Sequence, residues 1–69
     1  MRLSEIPFGK VFLGTMVFDA NPNHKIPGLF HRNHLNVVKI RPIPSIETQE
    51  FFNLRAWTVE NYEPLEIEL

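Results

Sequence analysis

LFHRNHLNVVKI, residues 29–40, joins two apolar runs through Asn33 and His34 with no proline or glycine inside it. Its apolar residues do not recur at the helical spacing, and Asn tolerates positive φ. The stretch therefore predicts a β-hairpin with arms over residues 28–32 and 35–41 and the bend at Asn33 and His34. Along the second arm Asn36, Val38 and Ile40 share one side while Val37, Lys39 and Arg41 share the other, so one face packs and one is charged.

Outward from the hairpin, the chain keeps to short strands and turn chemistry. Pro7 and Gly9 lead into KVFLGTMVF, residues 10–18, a strand with Gly14 as the expected bulge or bend. DANPNHKIP, residues 19–27, reads as a loop, because Pro22 and Pro27 donate no backbone hydrogen bond. RPIPSIE, residues 41–47, reads as an extended connection. QEFFNLRAW, residues 49–57, reads as a fourth strand, with Phe52, Leu54 and Ala56 on one side and Phe51, Asn53, Arg55 and Trp57 on the other. VENYEP, residues 59–64, reads as one helical turn. In LEIEL, residues 65–69, Leu65, Ile67 and Leu69 alternate with Glu66 and Glu68, the pattern of a half-buried last strand. The expected fold is all-β: one domain over residues 1–69, a small five-stranded antiparallel barrel with a one-turn helix before the last strand.

Size and charge narrow the function. A chain of 69 residues without cysteine has neither disulfides nor thiolate metal ligands, so a compact core or self-association must hold it. The chain contains no apolar run of roughly 20 residues, the length that spans a membrane, and its N-terminus has no signal-peptide pattern; a cytoplasmic protein is the expectation. The net charge is −1, but it is unevenly spread. Residues 20–46 contain no acid and hold Lys25, Arg32, Lys39, Arg41 and all three histidines. Residues 56–69 contain no base and hold Glu60, Glu63, Glu66 and Glu68.

Catalysis is not expected. Ser4 and Ser45 lie outside any nucleophile elbow, the glycines form no phosphate loop, and a chain this small leaves little volume for a deep pocket. His24, His31 and His34 are read as surface groups framing a bend, without a metal or other cofactor, since a metal site wants three or four converging ligands. Lys25, His31, Arg32, Lys39 and Arg41 instead make a candidate anion site, with Phe30 or Phe51 available to stack on a base. The plainer reading of these cations is a solubilising strand edge. Phe51, Trp57 and Tyr62, with Arg55 on the face of the first two, make a rival protein interface, and Trp57 reads equally well as a plug at one end of the core.

The opening LSEIPFGKVFL, residues 3–13, resembles the start of small β-barrel proteins encoded by bacteriophages and prophages, most closely at Gly9 and Phe12. The ending NLRAWTVENYEPLEIEL, residues 53–69, resembles the closure of a Src-homology-3-like barrel. The middle of the chain is longer than that pattern, and the resemblance carries no functional residue. It implies a binding module working in the host cytoplasm. The expected function is therefore non-catalytic binding of a nucleotide or short single-stranded nucleic acid through the basic hairpin. The alternative is a protein-interaction module or inhibitor of a host enzyme or defence factor. No membrane partner is expected. Homo-oligomers are, through the acidic strand of one copy and the basic hairpin of the next.

Overall fold

The computed structural model describes residues 1–41 and 49–68. Five strands, β1 (Lys10–Phe18), β2 (Asn21–Arg32), β3 (Asn36–Lys39), β4 (Phe51–Asn53) and β5 (Trp57–Glu68), form one antiparallel open sheet in the order β4-β3-β2-β1-β5. The hairpin falls where the sequence placed it. β2 ends at Arg32, β3 starts at Asn36, and the Asn33 side chain accepts the amides of Leu35 and Asn36 at 3.0 and 2.9 Å. That local bonding is what an Asn at a turn supplies. β1 also covers its expected span.

Four expectations need correction. The stretch read as a loop, residues 19–27, is mostly the first half of β2, which pairs with β1 through Val17↔Lys25, Met16↔Ile26 and Thr15↔Pro27. β3 pairs only with residues 30–32, so the first half of β2 has an open side to which a proline can turn its missing donor. The expected one-turn helix over residues 59–64 is instead part of β5, and the helical turn among the described residues is at Leu3–Glu5. The ladder runs on through these residues because Asn61 takes φ 55° and absorbs an extra residue between Thr15↔Glu60 and Leu13↔Glu63. The fourth strand is shorter than expected, since the chain turns at residues 54–56, where the Asn53 carbonyl accepts the Ala56 amide at 3.2 Å. The last strand does not bury its apolar residues: Leu65 is half-buried and Ile67 is 57% exposed. Leu69 and the connection from Pro42 to Thr48 lie outside the described residues.

Paired residues face the same way, so Phe12, Met16, Phe30, Val37, Phe52 and Val59 collect on one face, with Leu3 and Ile6 from the N-terminal segment beneath them. Phe30 sits between Phe12 and Phe52, with ring centroids 5.6 and 5.5 Å away. Phe52 on β4 also meets Trp57 on β5 edge to face at 4.9 Å. In a flat sheet these edge strands would lie roughly 19 Å apart, so the open sheet coils enough for these two side chains to meet over the core. Gly14 and Gly28 pair across β1 and β2, and their missing side chains make room for Val59 and the Lys39 stem.

Candidate functional site

The five residues of the expected anion site do not share a surface. Lys39 pairs with Phe30, and Arg32 with Val37, so both lie on the core side, Lys39 arched over Gly28. The expectation that Lys39 and Arg41 form a charged face opposite the packed one is thus overturned: Val37, on the same side as Lys39, is fully buried. Arg32 donates to the Asn33 carbonyl and leaves a buried Nε without a partner among the described residues. His31 is on the opposite, outer face, between Val11 and Val38. Lys25 forms an ion pair with Glu60 at 3.2 Å, and Arg41 pairs with Glu50. The Lys25 pair is exposed, so it contributes at most about 1 kcal/mol.

The histidines go three ways. His34 stacks on Phe8 with centroids 3.9 Å apart, His24 lies 5.8 Å from Trp57 and 6.3 Å from Phe18, and His31 stays on the outer face. Among the described residues no three His, Asp or Glu side chains gather as metal ligands would.

The rival interface is also divided. Phe51 is 56% exposed on the outer face beside Val38. Trp57 is on the core side, because the turn at residues 54–56 interrupts the alternation that would have placed it with Phe51. Trp57 packs on Phe18 at 4.9 Å as well as on Phe52. It closes one end of the core and keeps part of its indole exposed.

That partly exposed indole forms a wall of an open groove of about 460 Å³, lined by Arg2, Ser4, Asp19, Leu54, Arg55, Trp57 and Thr58. A space of this size was not expected from so short a chain. It is assembled by backbone bonds between distant segments. The Met1 amino group donates to the Val59 carbonyl at 3.1 Å, the Val59 amide to the Met1 carbonyl at 2.8 Å, and Arg2 bridges to Thr58. At the other side the Asn53 side chain accepts the Arg55 amide at 2.8 Å, and the Ala56 carbonyl accepts the Asp19 amide at 3.0 Å. Two arginines, a serine, a threonine and an aspartate thus share one groove with Leu54 and Trp57. Neither Arg2 nor Arg55 has an ion-pair partner among the described residues.

Of this set, the sequence singled out Arg55 and Trp57 and missed Arg2, Ser4, Asp19 and Thr58. No spacing links residues 2, 19 and 58, and the strand pairing alone joins them. The half-buried Tyr62, 5.1 Å from Phe12, is titratable, and burial raises its phenol above the ordinary value. Among the described residues no helix is long and apolar enough to cross a membrane. Compared with models of protein families, curated proteins and solved structures, the chain matches none.

Proposed function

We propose that the protein is a non-catalytic binding module for an anionic ligand, a nucleotide or short single-stranded nucleic acid, held in the Trp57 groove rather than along the hairpin. The carrying observation is that Arg2 and Arg55, both without an acidic partner among the described residues, line one groove with a partly exposed indole. Guanidiniums suit phosphate oxygens, and an indole face suits a base. The Ser4 and Thr58 hydroxyls add donors, and the Asp19 carboxylate can accept an amino group of the base.

The same proposal takes the coiled sheet as a partly open Src-homology-3-like barrel and its source as a phage or prophage acting in the host cytoplasm. Five antiparallel strands around one core and the resemblance of the two chain ends support this. The second reading, a protein-interaction module, is favoured by Trp57 and Arg55 sharing this groove, since both types are enriched in interface hot spots.

Trp57 is the sole tryptophan, so its fluorescence reports the groove directly. Titration with nucleoside monophosphates and short single strands should shift that fluorescence. Arg55→Ala should weaken binding by about 10- to 100-fold, the cost of a hydrogen bond to a charged group, and added salt should weaken a single strand's binding steeply. Fluorescence and heat that do not respond to any of these ligands at about millimolar levels would rule out the anion and leave the protein-interaction reading.

A further inference from the structure

Among the residues lining the Trp57 groove Asp19 is the one acid, and the backbone fixes where it stands. Its amide donates to the Ala56 carbonyl at 3.0 Å, and Phe18 before it is the Cα partner of Trp57. Arg2 bridges to Thr58 on the other edge of β5, where Met1 and Val59 also bond. β5 therefore runs between Arg2 and Asp19 and holds their backbones about 10 Å apart, two strand spacings. Neither residue has an ion-pair partner among the described residues, so the groove is polarised across Trp57, cationic at Arg2 and anionic at Asp19.

An unpaired carboxylate dictates what a nucleotide must turn toward it. Ionised, it only accepts hydrogen bonds, and it repels a phosphate, so the phosphate belongs at Arg2 and the base at Asp19. Each base offers a different edge there. Guanine sets two donors side by side, N1–H and the 2-amino group, which match the two carboxylate oxygens as a guanidinium does. Adenine and cytosine set a ring-nitrogen lone pair beside the amino group, and uracil flanks its one N–H with two carbonyls. Each of those acceptors would face the negative charge.

We propose that Asp19 makes the groove selective for guanine, its carboxylate accepting N1–H and the 2-amino group while Arg2 and Arg55 hold the phosphate. The selectivity rests on the groove being a nucleotide site and adds the base that it takes. The same chemistry serves a free guanine nucleotide and a guanine within a short single strand.

Calorimetric titration of the full chain with the monophosphates of guanosine, inosine, adenosine, cytidine and uridine tests the selectivity. The guanosine nucleotide should bind at least about fivefold more tightly than those of adenosine, cytidine and uridine, the smaller discrimination of a bidentate base contact. Inosine monophosphate, which lacks the 2-amino group, should fall in between. Asp19→Asn, at an exposed position, should bring the guanosine nucleotide to the level of inosine, because the amide offers a donor where the second oxygen accepted. If that variant does not fold, the ratio of guanosine to inosine binding in the natural chain decides. A short oligothymidylate carrying one guanine separates the two sources: tighter, steeply salt-dependent binding identifies a single strand, and equal affinities a free nucleotide. Equal binding of all five nucleotides overturns the guanine assignment and leaves the nucleotide reading standing. So does a guanine preference that Asp19→Asn does not reduce. If none of the five binds at about millimolar levels, the assignment fails together with the reading of the groove.

Discussion

Tyr62 shows how one residue's place in the sheet becomes a property that can be titrated. It is half-buried beside Phe12, and desolvation raises its phenol above 10.0. The unfolded chain releases this proton near pH 10, while the folded chain retains it to higher pH. Above about pH 10 the native state therefore holds more protons than the unfolded state, so stability falls as pH rises there and is fully present below. Tyr62→Phe should flatten the alkaline part of a series of urea midpoints measured against pH. Because Tyr62 is the only tyrosine, phenolate absorbance gives its folded titration directly. A midpoint at the free-tyrosine value would refute the burial argument. At this scale the sequence was legible where chemistry is local, as with Asn33 at its bend. It offered Tyr62 to a partner surface and did not reveal its burial, which depends on Phe12, 50 positions away.

The elements were legible by periodicity, except where two strands had to fit one another. Gly14 was read as a bulge or bend in β1, and the extra residue is instead in β5, at Asn61 opposite it. The two features are complementary. A Cβ at Gly14 would lie 2.7 Å from Val59 Cγ2 and 3.2 Å from the Glu60 carbonyl oxygen, so the bulge sits against a strand that has no side chain there. Gly14→Ala should cost about 1–3 kcal/mol, since Val59 is buried and cannot move aside. Gly28→Ala is the control. Its Cβ would meet the Cε of Lys39 at 2.8 Å, a flexible chain that can swing away, and less unfolded-state entropy offsets the rest. Its cost should stay under about 1 kcal/mol. Urea midpoints of the two variants check the contrast, and equal losses would remove the close-approach explanation. The helix expected over residues 59–64 failed for the same reason: β5 is held by its ladder to β1, and a single Asn at positive φ lets that ladder continue.

For the whole molecule, the decisive feature is a small core reached from every strand. Phe30 is at its centre, and Phe30→Ala should cost about 3–5 kcal/mol. A chain of 69 residues has roughly 3–10 kcal/mol of stability in all, so the variant should be largely unfolded at room temperature. Loss of the near-ultraviolet circular dichroism of Trp57 would report this, and a retained native signal would show that Phe30 is not the hub. The sequence by itself determined the all-β class, the span of β1, the hairpin at Asn33 and the division of the chain into basic and acidic stretches. These follow from alternation, turn residues and composition, which act over a few neighbouring positions. Only the tertiary structure decided the rest. It made a strand of the proline-bearing residues 21–27 because one side there is open, separated Phe51 from Trp57, put Arg32 and Lys39 of the hairpin on the core side and His31 on the other, and brought Arg2 to Arg55. The physical reason is common to all four. A strand's alternation tells which side chains share a face, but which face is covered, and by what, is settled by the coiling that joins β4 to β5 through Phe52 and Trp57.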